Sequence, residues 1–383
     1  MLSARGGTDD APAPRAPRLD PAALFARWRG ARGVLLAVSG GPDSIALMLL
    51  AAGWREAGAP PLAVAVVDHG LRAGSAAEAE TVCDAARSRG FPAALLRWEG
   101  PKPATRIQER ARAARYALLC AEARRIGADA IMTAHHADDQ AETVLMRLLA
   151  GSGIAGLAGM AEETTREGLV LARPLLGLRK RELVALCRAA GCGFVDDPSN
   201  VDPRFARARL RTQMAALGLD APALLRLAAR AARADAALEA AAAALPCETR
   251  PDGTRRLDRA ALAAAPAETR ARALRRAVLA LAPAPDAPPL RLERLEALEA
   301  RLAAALAADA PFAATLGGAA LRLTATALEL RPAPPRNRGF TAARAVPWQH
   351  SDTHLNTIEP IRPAEAGPRR AGRQGAKARQ ERE

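Results

Sequence analysis

Several features that are common in proteins are missing from this chain of 383 residues, and each absence excludes a class of protein. No window approaches the roughly 18 consecutive apolar residues that a membrane-spanning helix needs. Residues 1–20 are rich in Ala, Pro, Arg and Asp and lack the apolar stretch of a secretion signal. The five cysteines are scattered without a C-x-x-C pair, so neither a disulfide framework nor a zinc site is indicated. These absences predict a cytoplasmic protein with no membrane partner.

Lysine is also scarce. Only Lys102, Lys180 and Lys377 occur, so the formal net charge of +14 comes almost entirely from arginine. A cationic surplus favours polyanionic partners, because binding releases the counterions that are condensed on them. A GC-rich genome also produces an arginine- and alanine-rich composition, so the charge alone leaves nucleic-acid binding open.

Residues 21–216 are predicted to form one α/β domain. Four apolar runs alternate with helical patterns in its first part, at residues 33–38, 62–67, 92–98 and 129–133. Such an alternation is typical of a doubly wound parallel sheet. Polar clusters at Ser39, Asp68 and His135 follow three of these runs. Because ligands bind at the carboxyl ends of parallel strands, these clusters predict a site at that edge of the sheet.

The rest of the chain divides into three predicted segments. Residues 1–20 form a disordered arm, and residues 332–383 form a basic, Pro/Arg-rich tail that is also expected to be disordered. Residues 217–331 form a smaller helical domain that ends in a short hairpin around two glycines. Arginines recur there at helical spacing, at 226, 230 and 233 and at 272, 275 and 276. They form either an RNA-binding face or a solvated helix surface.

The segment Ser39-Gly40-Gly41-Pro42-Asp43-Ser44 has the composition of a phosphate site. Its glycines let the backbone approach an anion, its hydroxyls add donors, and the helix N-terminus supplies partial positive charge. The segment lacks the Walker pattern G-x-x-x-x-G-K-[ST] and the dinucleotide pattern G-x-G-x-x-G. The alternative is an ordinary capped turn, with Asp43 or Ser44 as the N-cap.

A second cluster runs from His135 to Thr143, with the sequence H-H-A-D-D-Q-A-E-T. On a helix, Asp139 and Glu142 are three residues apart and share a face, which suits Mg²⁺ because this ion takes oxygen ligands and bridges to phosphates. The alternative is that these acids only complement the helix dipole. Adjacent histidines do not have the i, i+4 spacing of a helical zinc site.

Together these clusters resemble the N-type ATP pyrophosphatase family, whose pyrophosphate loop reads S-G-G-x-D-S. Further motifs are similar to those of the tRNA(Ile)-lysidine synthases within that family, and they occur in order between about residues 30 and 215. They are Asp68-His69-Gly70-Leu71-Arg72, Ile107 to Arg112 with Arg115-Tyr116, His135 to Thr143, Gly151 to Met160, Arg173 to Leu176, and Asp197-Pro198-Ser199-Asn200. One departure is Ala208, where the family's R-N-x-[IL]-R segment has Asn.

The resemblance implies an ATP-dependent ligase that forms a C–N bond. The wobble cytidine of CAU-anticodon tRNA(Ile) is adenylated at its C2 oxygen, and free L-lysine then displaces AMP to give lysidine. ATP and Mg²⁺ are the implied cofactors. A homodimer is left open.

The resemblance also implies site residues. The implied catalytic residues are Asp43, His135, Asp139, Glu142 and Arg207. The implied ATP contacts are Ser39, Gly40, Gly41, Pro42, Asp43, Ser44, Asp68, His69, Arg112 and Arg115. Asp43, Asp139 and Glu142 are the implied metal ligands, and Asp197, Ser199 and Arg207 the implied contacts of the substrate lysine.

Two other functions are considered. A related PP-loop enzyme that thiolates tRNA would carry a C-x-x-C pair, which this chain lacks. A non-catalytic RNA-binding protein on the same fold is expected to lose the acidic pair, yet Asp139 and Glu142 are both present.

Overall fold

The computed structural model describes residues 19–333 except residues 73, 104, 195–205 and 282–289, and it leaves out the side chains of residues 206–208 and 215. Most of the predicted arm, the tail beyond Ala333, and the predicted lysine contacts Asp197 and Ser199 therefore lie outside the described residues. The same holds for the side chain of Arg207.

The first part of the chain forms the predicted α/β fold around a six-stranded sheet. The strand order is β3-β2-β1-β4-β6-β5, and every neighbouring pair is parallel except β5 with β6. The strands are β1 (Val34–Ala37), β2 (Leu62–Asp68), β3 (Ala93–Arg97), β4 (Ala130–Met132), β5 (Glu163–Arg166) and β6 (Leu169–Ala172). The helices are α1 (Pro21–Leu24), α2 (Pro42–Glu56), α3 (Ser75–Arg87), α4 (Ile107–Arg125), α5 (Ala137–Leu149), α6 (Ile154–Leu157) and α7 (Lys180–Ala189).

Both faces of this sheet are covered, which explains why its central strands read as continuous apolar runs. Leu36 of β1 faces a core that it shares with α2, α3 and α7, and Leu35 faces a second core against α4. Each parallel strand must be followed by a helix that returns the chain to the opposite edge. The loops after β1, β2 and β4 therefore meet at the carboxyl edge, as the sequence predicts.

The second part of the chain combines helices with a larger sheet than expected. Its helices are α8 (Ala206–Ala216), α9 (Ala221–Ala243), α10 (Arg259–Ala264), α11 (Ala267–Ala280) and α12 (Leu292–Ala307). Its strands are β7 (Cys247–Thr249), β8 (Arg255–Asp258), β9 (Ala313–Leu316), β10 (Ala319–Leu323) and β11 (Ala327–Pro332), in the antiparallel order β7-β8-β11-β10-β9.

The predicted hairpin is the β9–β10 pair, which turns at Gly317 and Gly318. Strands β7 and β8 were not predicted from the sequence because β7 is exposed on every residue and Leu257 is the one buried side chain of β8. A helical domain starting at residue 217 stays a prediction, since α8 and α9 also pack against α5 through Leu210, Leu224 and Ala228. Within the described ranges, the helices are too short or too polar to cross a bilayer.

Candidate functional site

The loop between β1 and α2 has a backbone that only glycine adopts easily. Gly40 lies in the left-handed region at φ +88°, and Gly41 and Pro42 start α2. The buried hydroxyl of Ser44 accepts hydrogen bonds from the backbone N–H groups of Ser39 and Gly40, both at 3.1 Å, and donates to the carbonyl of Gly41 at 2.9 Å. The loop thus curls over the first turn of α2, where N–H groups and the helix dipole favour an anion.

Two carboxylates from different helices meet beside this loop at a buried histidine. Nε2 of His136 lies 3.5 Å from Oδ2 of Asp43, in the first turn of α2, and 3.5 Å from Oδ2 of Asp139, in the first turn of α5. His136 is only 2% exposed. The fold therefore brings together Asp43 and Asp139, which are almost a hundred positions apart in the sequence.

His136 is also the N-cap of α5. Its Nδ1 accepts hydrogen bonds from the backbone N–H groups of Asp138 and Asp139, at 3.2 and 3.4 Å. Oδ2 of Asp139 in turn accepts a hydrogen bond from the backbone N–H of His136 at 3.1 Å. This geometry leaves Nε2 as the atom that carries a proton toward Asp43 and Asp139. Burial lowers the pKa of His136, but the nearby carboxylates of Asp43 and Asp139 outweigh burial, so the net shift is upward.

The predicted catalytic histidine, His135, has a different environment. It is half-buried, and its Nδ1 lies 2.8 Å from the hydroxyl of Thr133. His136 was not predicted as a separate site residue, and its position just before α5 is the one sequence signal for its role as the N-cap. The roles of both histidines in catalysis stay predictions.

Glu142 is buried and forms an ion pair with Arg211 of α8. Burial lowers the pKa of Arg211, but Glu142 first, and then Asp139 and Asp43, raise it above its usual value. This guanidinium therefore pairs with Glu142 and interacts electrostatically with the other two predicted metal ligands. The second oxygen of Glu142, Oε2, is buried and has no hydrogen-bond partner among the described residues.

Asp43, Asp139 and Glu142 fit the coordination that Mg²⁺ adopts when phosphates supply some of its ligands. Mg²⁺ is bound through one or two carboxylates together with substrate phosphates and water. Oδ1 of Asp43, like Oε2 of Glu142, is buried and unpartnered among the described residues, so oxygen ligands are available. No preformed group of three or more His, Cys, Asp or Glu ligands occurs in the described ranges.

Asp68 and His69 lie at the end of β2, at the same edge of the sheet. Asp68 accepts from the hydroxyl of Ser75 at 2.7 Å and from the N–H of Gly70 at 2.9 Å. Burial raises the pKa of Asp68, but these hydrogen bonds bring it below its ordinary value. Burial, followed by the charge of Arg115, lowers the pKa of His69, and the ring's Nδ1 has no partner among the described residues.

Arg112 and Arg115 project from α4 near the ring of Tyr116, with guanidinium carbons 5.1 and 5.2 Å from its centre. Arg166 approaches the same ring at 4.6 Å. Burial raises the pKa of the Tyr116 hydroxyl, but Arg115 and Arg112 reverse this shift. The cationic charge that collects here makes Arg112 and Arg115 suitable for phosphate oxygens.

The two arginine sets of the second part have different environments. Arg272 is buried and lies 2.7–2.8 Å from oxygens of Asp235, Glu239 and Glu268, so it holds α11 to α9. By contrast, three arginines of α9 are exposed and have no carboxylate partner among the described residues. We call them the stripe arginines; they are Arg226, Arg230 and Arg233. Sequence spacing alone does not separate a structural arginine from a solvent-facing one.

Comparison with known proteins finds a matching family model and similar sequences over most of the chain. The family model described as "PP-loop domain" matches residues 19–217. The tRNA(Ile)-lysidine synthase of Methylobacterium nodulans is 53% identical over 324 residues, which cover 82% of this chain and 95% of that protein. The enzyme of the same name from Rhodopseudomonas palustris is 50% identical over 332 residues, covering 82% and 94%. Among solved structures, the U34-tRNA thiolase NcsA from Methanococcus maripaludis is 15% identical, with a TM-score of 0.46 over 55% of this chain and 77% of that one.

Proposed function

Because this chain belongs to the PP-loop family and, within it, to the tRNA(Ile)-lysidine synthases, we propose that the edge formed by the β1, β2 and β4 loops adenylates the wobble cytidine of CAU-anticodon tRNA(Ile) and joins free L-lysine to it. The chain is an ATP-dependent ligase that forms a C–N bond. The observation that carries the assignment to this edge is the meeting of Asp43 and Asp139 at His136, beside the Ser39–Ser44 loop.

The chemistry needs two displacements. The C2 oxygen of cytidine attacks the α-phosphorus of ATP, and the bond to pyrophosphate breaks. The ε-amine of lysine then attacks C2, the bond to AMP breaks, and the amine loses a proton. Activation comes first because an oxygen on C2 is a poor leaving group until it carries AMP.

The residues of the site have separate roles in this proposal. The start of α2, together with the Ser39–Ser44 loop that precedes it, binds the departing pyrophosphate. Asp43 and Asp139 would hold Mg²⁺, with Glu142 as a third oxygen donor, and the ion would neutralise charge on the phosphates. His136 orients both aspartates through its Nε2, which lies 3.5 Å from a carboxylate oxygen of each. Arg211 keeps the buried charge of Glu142 compensated.

The surface for the rest of the tRNA is assigned to α9. Leu224, Ala228 and Ala231 pack inward, and the stripe arginines begin two positions later, which is about 200° around the helix. The stripe therefore points away from α5 and is open to a polyanion. A homodimer stays a prediction.

The proposal is tested by incubating the protein with ATP, ¹⁵N-labelled lysine and CAU-anticodon tRNA, and by mass analysis of the wobble nucleoside. We expect pyrophosphate release and a labelled lysidine. Asp139→Asn should abolish both, whereas Asp129→Asn, at the amino edge of the sheet, should retain them. Silence of the wild-type protein in every combination would instead favour an RNA-binding protein without catalysis, and a sulfur-dependent product would favour a thiolation enzyme.

A further inference from the structure

Asp138 and Asp139 are neighbours in α5, but their carboxylates face different parts of the molecule. Asp139 approaches His136, whereas Asp138 binds the guanidinium of Arg179, at 3.1 Å to Nε and 2.8 Å to Nη2. Oδ2 of Asp138 also accepts from the backbone N–H of Lys180 at 2.8 Å. Successive helical residues point about 100° apart, so the carboxylates of these two neighbours contact different elements.

Arg179 and Lys180 form the start of α7. Arg179 is its N-cap, and its backbone N–H donates to Glu182 at 2.7 Å. The adjoining carbonyl of Leu178 accepts from the N–H of Ala137 at 2.8 Å. Burial raises the pKa of Asp138, but Arg179 and the N–H of Lys180 bring it below its ordinary value, so the carboxylate is charged at neutral pH. The first turns of α5 and α7 are therefore joined by a charged, multidentate contact.

The other end of α7 contacts the Ser39–Ser44 loop. Leu183 and Cys187 are buried in the core that α7 shares with α2. The thiol of Cys187 donates to the carbonyl of Pro42 at 3.3 Å. Burial raises the pKa of this thiol to about 12, so it remains a donor at physiological pH. Thus α7 connects the start of α5, which carries Asp139, with the start of α2, which carries Asp43.

We propose that Asp138 and Arg179 are positioning residues that set, through α7, the spacing between Asp43 and Asp139. This inference rests on the proposed function, because the spacing affects a rate only if both carboxylates act on bound ATP. A displacement of about 1 Å in a catalytic geometry costs about 100-fold in rate. Loss of a supporting partner behind a ligating residue costs about 10- to 100-fold.

The test uses the full-length chain and conservative changes. Arg179→Lys keeps the charge but loses the planar fork, and Asp138→Asn keeps an acceptor for Lys180 but loses the ion pair. We expect each change to lower kcat for pyrophosphate release about 10- to 100-fold, with the KM for ATP within about threefold of wild type. The melting temperature should stay within about 2 °C, because both side chains are more than a quarter exposed and such pairs add little stability.

The matched control is Arg32→Lys. Arg32 also pairs with an aspartate from another segment, Asp129, at 3.2 Å, but this pair lies before β1 and β4, at the amino edge. Its kcat should equal that of the wild type. The double variant of Asp138 and Arg179 should lose no more than the worse single variant, since both changes break one contact.

Two results would overturn the inference. One is wild-type kcat in Arg179→Lys; the other is a fall in kcat that matches the loss of folded protein seen in the melting curve. The proposed function fails separately, when the wild-type chain itself makes no lysidine.

Discussion

The stripe of arginines on α9 allows the sharpest quantitative prediction. Arg226, Arg230 and Arg233 are four and three residues apart, so they share one face over about two helical turns. Such a row spans roughly 10 Å, since each residue adds about 1.5 Å. All three are exposed, and none is compensated by a carboxylate among the described residues. We therefore expect the triple change to Gln to remove up to three contacts with the tRNA backbone.

The size of the effect follows from counterion release. Each contact with a phosphate contributes about 0.7–0.9 to the slope of log affinity against log salt concentration, so three contacts contribute about 2–3. Between 50 and 200 mM salt, the wild-type chain should lose about 20- to 40-fold more affinity than the triple variant does. Catalysis with saturating tRNA should change little, because the stripe points away from the α5 face.

The measurement is a titration of CAU-anticodon tRNA at several salt concentrations by fluorescence anisotropy. The control is a second triple Gln variant, at Arg87, Arg124 and Arg125, which removes the same formal charge. Each of these arginines is already paired with Glu or Asp and lies near the C-terminal end of α3 or α4, at the amino edge of the sheet. The control should change the slope by less than about 1. Equal slopes for both variants would show that net charge alone governs binding, and an unchanged slope in the α9 variant would refute the assigned surface.

Three further predictions concern stability and reactivity. Arg272→Ala should lower the free energy of unfolding by about 1–3 kcal/mol in a urea titration, because Asp235, Glu239 and Glu268 lose a buried cation. The control Arg276→Ala, whose partner Glu239 is 3.5 Å away, should cost less than about 1 kcal/mol. Equal losses would contradict the structural role of Arg272. The pKa of Asp68 is lower in the folded protein than its value of about 3.8 in the unfolded chain, so ionised Asp68 stabilises the folded state at higher pH. This stabilisation is lost as the pH falls through the pKa of the folded state, so the difference in unfolding free energy between wild type and Asp68→Asn should shrink below about pH 4. A difference that is independent of pH would be inconsistent with the assigned shift. At pH 8 only about one Cys187 thiol in 10⁴ is ionised if its pKa is about 12. Iodoacetamide should therefore label the exposed Cys247 long before Cys187 in the native chain, as measured by peptide mass mapping. Comparable labelling rates would mean that Cys187 is not held as a buried donor.

Much of the site was predictable because its chemistry is encoded in short segments. Gly40 must adopt a positive φ, so the glycines of the Ser39–Ser44 loop are visible in the sequence as a backbone requirement. Asp68 and Asp139 follow apolar runs, and the end of a parallel strand is where a ligand site is expected. The meeting of the three loops follows from the parallel order of β2, β1 and β4.

Other features depend on contacts between distant residues and were not predictable in this way. Glu142 was predicted as a metal ligand, and the structure adds that it is buried against Arg211, from a helix almost seventy residues later. Asp138 and Asp139 look alike in the sequence, but one binds Arg179 and the other approaches His136. Likewise, Arg272 and Arg230 lie on similar alanine-rich helices, but Arg272 is buried among carboxylates from neighbouring elements, whereas Arg230 is exposed.

The sequence by itself determined the fold class, the glycine turn after β1 and the edge of the sheet at which the polar loops meet, because these depend on backbone periodicity and on local turn geometry. Only the tertiary structure decided which side chain each charged group meets. Such pairing depends on packing between elements that are far apart in the chain, and charge identity alone does not specify it. For this reason candidate site residues can be proposed from motifs, whereas the contacts of Arg179 with Asp138 and of Cys187 with Pro42 became visible only in three dimensions.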